Sequence, residues 1–164
     1  AAGAVTWMLI EGIHQGKASA LGLASGILAG LVAITPAAGA VGPKGAIALG
    51  ILATLACYYA LTLKSKFGYD DTLDAFGIHG VGGIIGALFL VFFMRGEHTT
   101  AEVFSQFGVQ ALAVGIAIVY SIVVTLIILF LVEKTIGLRS SKDEEMKGLD
   151  DSYHGERGYG MVNP

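Results

Sequence analysis

The sequence predicts an all-α bundle of membrane-spanning helices. Three observations predict it. Of 164 residues, 54% are hydrophobic and only 14% charged, where soluble domains carry roughly 25% charged residues. The apolar residues gather into five segments separated by short polar stretches, giving a mean hydropathy of +0.72. The 24 glycines recur at four-residue spacing inside several of those segments, the pattern of helices that pack closely in lipid.

The first segment, about 1–11, opens Ala1-Ala2-Gly3-Ala4-Val5-Thr6-Trp7. It is shorter than the roughly 20 residues one crossing needs, and it lacks a basic leader region. It reads as the interior of a hydrophobic helix, so the chain is expected to be a piece of a longer polypeptide. The second segment covers 20–38, the third 44–63 and the fourth 73–94. The fifth, 104–136, would extend about 50 Å against a hydrocarbon core of about 30 Å. It must tilt strongly or project beyond the bilayer. Residues 1–138 are therefore read as the membrane region and 139–164 as a polar tail.

Within the second segment, Thr35-Pro36-Ala37-Ala38-Gly39 interrupts the helix pattern. Proline disfavours helical geometry in the residue before it. A local break or an ordinary helix terminus both fit. Small residues form stripes at Ala18, Gly22, Gly26 and Gly30, at Ala46, Gly50 and Thr54, and at Gly82 and Gly86. Such stripes serve either bundle packing or a channel wall.

Loops alternate across the membrane. One side holds Gly12–Ser19 with Lys17, Ser65–Tyr69 edged by Lys64 and Lys66, and the tail with Arg139, Lys142 and Lys147. The other side holds Gly39–Pro43 beside Lys44, and Arg95–Thr100. The positive excess makes the tail side cytoplasmic, at the plasma membrane.

Charge and cysteine usage exclude other classes. The net charge is −3, and no basic stripe offers a nucleic-acid surface. Cys57 is the single cysteine, so there is no intrachain disulfide and no thiolate cluster. It is expected to act as a small buried hydrophobe. Glu11 and Glu133 lie near segment ends, where they can reach water.

Chemistry concentrates at the start of the fourth segment, Asp70-Asp71-Thr72-Leu73-Asp74-Ala75-Phe76-Gly77-Ile78-His79-Gly80-Val81-Gly82-Gly83. Carboxylates at a helix start accept from free backbone N–H groups and complement the dipole. That suits Asp70 and Asp71. Asp74 lies deeper, and anchoring of a neighbouring helix is a second role open to it. His79 sits about seven residues inside the segment, roughly 10 Å along the axis. Ionisable groups at depth face the protein interior and mark function. A neutral imidazole avoids the cost of a buried charge and still exchanges a proton. A ring simply hydrogen-bonded to a carbonyl is the other reading. His14, His98 and His154 fall in expected loops or the tail. No second ligand at depth accompanies His79, so no metal or other cofactor is expected. No nucleophile triad or phosphate loop points to an enzyme.

Three motifs then carry a resemblance. Asp74-x-Phe76-x-x-His79-Gly80-x-x-Gly83 resembles the second-half histidine motif of the Amt/Mep/Rh ammonium transporters. Ser25-Gly26-x-x-Ala29-Gly30-Leu31-Val32-x-Ile34-Thr35-Pro36-Ala37-x-Gly39 resembles their preceding signature. Gly137-Leu138-Arg139, Gly148-Leu149-Asp150, His154-Gly155-Glu156 and Tyr159 resemble the cytoplasmic tail of microbial members. The three occur in family order and cover nearly the whole chain.

The resemblance implies an eleven-span fold of two inverted repeats, of which this chain is the C-terminal half, from the end of span seven to span eleven. It implies a homotrimer in the lipid bilayer with one pore per protomer. The pore would carry ammonium or ammonia past a pair of histidines. His79 matches the second; the first, with the phenylalanine gate and the aromatic recruitment site, belongs largely to the N-terminal half missing here. Leu28, Ala75 and Phe76 align with the pathway. Asp71 and Asp74 support it, as Thr35 supports the broken segment. Residues 137–159 would pack on the cytoplasmic face and contact a PII-class regulator. Besides a transporter, a sensor using the same fold remains open, and so does an intramembrane enzyme or redox subunit.

Overall fold

The computed structural model describes residues 1–156, so Tyr159 and the end of the tail lie outside the described residues. Every regular element among them is helical. Helix α1 covers Ala2–Gln15, α2 Ala20–Ile34, α3 Pro43–Phe67, α4 Phe76–Phe93, α5 Thr100–Thr135 and α6 Lys142–Lys147. Three of these, α3, α4 and α5, are long and apolar enough to cross a membrane. The chain divides into two compact units, Ala1–Ala117 and a second beginning at Ile118.

The helix ends differ from the apolar segments for local reasons. Helix α1 continues past residue 11 to Gln15 and stops at Gly16, whose φ of 78° is left-handed. His14 therefore sits in the last turn of α1 rather than in a loop, its ring 5.5 Å from that of Tyr58. Helix α2 stops at Ile34, four residues short of the segment end, and Thr35–Ala40 form successive tight turns. Pro36 cannot continue the helix ladder. The Thr35 hydroxyl donates to the Leu31 carbonyl at 2.8 Å, satisfying a group near the helix end. Helix α3 begins with Pro43 at its first position and runs four residues beyond the segment to Phe67. Helix α4 begins at Phe76 rather than 73, because Asp74 adopts φ 56° and ends the preceding turn. It opens with a π-helical turn, Phe76–Gly80, continues as α-helix over Val81–Phe89 and closes as a 3-10 turn over Leu90–Phe93.

In the first unit the glycine stripes serve close helix packing. A Cβ at Gly26 would fall 2.6 Å from the Gly3 carbonyl oxygen and 2.6 Å from Trp7 Cβ. Gly50 meets Ala2 and Gly3, while Gly82 faces Val32 and Cys57. Two buried clusters result. One joins Trp7, Ala29, Cys57, Tyr58 and Ile78; the other joins Ala37, Val41, Leu49, Leu90 and Val91. Cys57 is fully buried and its thiol donates weakly to the Ile78 carbonyl. Trp7 meets Tyr58 edge-to-face at 5.3 Å. Val41 and Met94 form an antiparallel bridge, and Arg95 N donates to Ala40 O at 2.9 Å.

Glu11 departs from expectation. It is largely buried, 8% exposed. Its carboxylate accepts from Ser19 N at 2.8 Å and Ser19 Oγ at 2.9 Å. Ser19 Oγ in turn accepts from Gly22 N, capping α2. Glu11 thereby fixes the short connection between α1 and α2.

In the second unit α5 ends at Thr135. Ile136 N and Gly137 N both donate to the Val132 carbonyl, with Gly137 at φ 82°. Helix α6 follows, started by a reciprocal capping box between Ser141 and Glu144. Arg139 pairs with Glu145 at 2.9 Å. After Gly148, at φ 102°, Asp150–His154 form a π-helical turn closed by Gly155 at φ 65°. Ser152 Oγ donates to the Glu144 carbonyl, and Tyr153 OH to the Glu144 carboxylate. Hydrogen bonds from Ser141 and Tyr153 hold the Glu144 carboxyl below its ordinary range. The described part of the tail is thus locally folded.

Candidate functional site

The described residues hold two π-helical turns, Asp150–His154 in the tail and Phe76–Gly80 at the start of α4. Such turns are rare and concentrate at functional positions. Asp71 caps the α4 turn: the carboxylate accepts from Gly77 N at 3.1 Å and from Phe76 N at 3.3 Å. Desolvation raises the Asp71 carboxyl, but hydrogen bonds from Gly77, Phe76 and Ala75 outweigh it, and its pKa is lowered from the ordinary value. Asp70 does not share this role; it accepts from the Thr72 hydroxyl at 2.8 Å.

Asp74 takes the anchoring role. Its carboxylate pairs with Lys64 near the C-terminal end of α3, while its own carbonyl accepts from Ile78 N at 2.9 Å. Lys64 Nζ also donates to the Asp71 carbonyl at 2.9 Å. One ammonium group therefore ties α3 to both aspartates of the turn. Sequence reasoning passes over Lys64, because a lysine at a helix end already suits the dipole. The readable signal is its ten-residue separation from Asp74 across a glycine-closed turn at Gly68, φ 65°.

His79 is the fourth residue of α4, so it lies about 5 Å from the helix start rather than 10 Å. Its ring makes no hydrogen bond among the described residues and is exposed on the first unit. Ala75 and Phe76, one turn earlier, are exposed too. The Phe76 ring lies over Gly80, where a Cβ would fall 2.9 Å from Cδ2. The same ring meets Tyr69, with centroids 6.2 Å apart.

Leu28 lies on α2. Its neighbour Ala29 and His79's neighbour Ile78 share one buried cluster. Leu28 itself is exposed. Leu28, Ala75, Phe76 and His79 are all exposed on the first unit. Thr35 lies seven residues beyond Leu28, just past the end of α2, and is exposed too. Gly137, Arg139, Gly148, Leu149, Asp150, His154, Gly155 and Glu156 belong to the second unit. Among the described residues no three His, Cys, Asp or Glu side chains converge as a metal site. An exposed imidazole among apolar side chains is suited to contact a small polar solute and pass it one proton.

The chain resembles known proteins over most of its length. Residues 1–159 match the model of the Ammonium Transporter Family. An ammonium transporter of Aquifex aeolicus is 44% identical, over 96% of this chain and 38% of its own length. Among solved structures, Saccharomyces cerevisiae Mep2 superposes with a TM-score of 0.76 at 36% identity, over 87% of this chain and 35% of that one. A protein described as a sensor Amt protein gives a TM-score of 0.82 at 29% identity, over 93% of this chain and 38% of that one. The chain spans 36–41% of the length of the curated relatives from Aquifex, Mycobacterium tuberculosis and Bacillus subtilis.

Proposed function

The chain belongs to the ammonium transporter family, and on that premise we propose that the full-length protein conducts ammonium or ammonia across the membrane. The family is one of multi-pass transport proteins rather than enzymes. The observation that carries the reading is His79, exposed and without a hydrogen-bond partner among the described residues, on a capped π-helical turn of a membrane-length helix. His79 lines the pathway as one of a histidine pair, with Leu28, Ala75 and Phe76 forming apolar wall beside it. Asp71 and Asp74 hold the turn, and Thr35 holds the break at the end of α2. The pair's other histidine comes from the N-terminal half of the same protein, and three protomers assemble in the plasma membrane.

The chemistry follows from solvation. An apolar lumen cannot replace the hydration of potassium, so the bare ion is rejected. Ammonium differs because it can shed a proton and cross the apolar stretch as neutral ammonia. A neutral imidazole accepts or donates that proton without a standing buried charge. The tail lies on the cytoplasmic side, where Arg139, Gly148, Leu149, Asp150 and His154–Glu156 form the surface read by a PII-class regulator.

A second reading is a sensor, favoured by the likeness to the sensor Amt protein and by the locally folded tail. Ammonium-evoked uptake into proteoliposomes holding the full-length protein separates the two. Uptake above that of empty liposomes, with none for potassium, is the expected result. No uptake as current or as internal pH change would favour the sensor.

A further inference from the structure

We propose that Lys64 is a positioning residue for His79, acting through the two aspartates that shape the π-helical turn; the inference rests on the pore reading of His79. Two lysines end α3, and they behave differently. Lys66 is exposed. Lys64 folds inward, its side chain only 23% exposed, onto Asp74 and the Asp71 carbonyl. A lysine serving only the helix dipole or solubility has no need of that conformation.

The link to His79 is short and continuous. Lys64 fixes Asp74, a non-glycine residue held at φ 56°. That conformation is uncommon for an L-residue and persists only where its surroundings determine it. Asp74 O accepts from Ile78 N, the residue before His79. Lys64 also holds the Asp71 backbone, while the Asp71 side chain caps Phe76 and Gly77. Cys57 of α3 makes a further contact, with the Ile78 carbonyl. The turn carrying His79 is therefore clamped to α3 at two places. Releasing the ammonium frees Asp74 to leave the left-handed region, which would rewind the turn and swing the imidazole about the helix axis.

The test is a mutant cycle in the full-length protein, measured as ammonium uptake and ammonium-over-potassium selectivity in proteoliposomes. The variants are Lys64→Met, Lys64→Arg, Asp74→Asn, His79→Ala and Lys64→Met/His79→Ala, each checked for assembly by size-exclusion chromatography. Asn tolerates the left-handed conformation, so Asp74→Asn removes the charge pair and supplies a readout if Lys64→Met does not assemble. Coupling between contacting residues of ordinary size corresponds to a roughly five-fold loss of uptake or selectivity for Lys64→Met or Asp74→Asn. Lys64→Arg, which keeps the charge, should restore most of it. In the His79→Ala background Lys64→Met should have no further effect. If the two losses multiply, or if Lys64→Met and Asp74→Asn match wild type while His79→Ala does not, Lys64 does not act through His79. If His79→Ala itself changes nothing, the pore reading fails first and takes the inference with it.

Discussion

Gly86 tests whether the α2–α4 seam is as tight as the structure requires. A Cβ added at Gly86 would lie 2.8 Å from Ala33 Cα and 2.9 Å from the Ala33 carbonyl carbon. Carbon atoms rest about 3.5–4.0 Å apart, so Gly86→Ala obliges α4 to withdraw by roughly 0.6–1.2 Å. The opposing atoms are backbone, and no side-chain rotation relieves them. Overpacking costs about 1–3 kcal/mol, and a backbone clash belongs at the upper end. Alanine regains about 1 kcal/mol over glycine through helix propensity. The net expectation is a loss of about 2 kcal/mol. At Gly83 a Cβ meets only Val32 Cγ1 at 3.9 Å, an ordinary contact. Gly83→Ala should therefore be neutral or stabilising by up to about 1 kcal/mol. The assay is thermal unfolding of the full-length protein in detergent, read alongside ammonium uptake, since α4 also carries His79. Gly86→Ala as stable as Gly83→Ala would refute the reasoning.

Two further outcomes follow from the same geometry. Glu11→Ala strips the acceptor from Ser19 N and Ser19 Oγ and should destabilise by about 1–3 kcal/mol in thermal unfolding, whereas an effect below about 0.5 kcal/mol would mean that the α1–α2 connection does not depend on it. The lowered pKa of Asp71 means that its cap contributes fully above the ordinary value of 3.8 and is lost as pH falls through the lower folded value. Wild type should therefore shed part of its thermal stability only below that pH, and Asp71→Asn should remove this acid-limb dependence; an unchanged pH profile in the variant would count against the cap.

Much of this architecture can be read from the residues. The deficit of charge and the long apolar runs give the helix bundle, and Pro36 marks the end of α2. The aspartates ahead of His79 mark the start of the fourth segment, and Asp71 does cap the turn there. Other features cannot be read. Glu11 looks like a water-facing group near a segment end, and only the fold returns Ser19 to it across the loop. Lys64 is hidden for the converse reason, since its ordinary helix-end role accounts for it without a partner. Hydropathy places the start of α4 three residues early, because Leu73 and Ala75 look helical while the left-handed Asp74 leaves no trace in an apolar pattern. The stripes do not say whether glycines line a pore or a seam; Gly26, Gly82 and Gly86 prove to face neighbouring helices.

The most direct test of the central claim is ammonium-evoked current in proteoliposomes holding the full-length protein, wild type beside His79→Ala, with potassium as control and internal pH recorded together. Wild type should show uptake selective for ammonium, and a correctly assembled His79→Ala protein should show altered uptake or lost selectivity. Unchanged uptake and selectivity in that variant would contradict the pore role of His79.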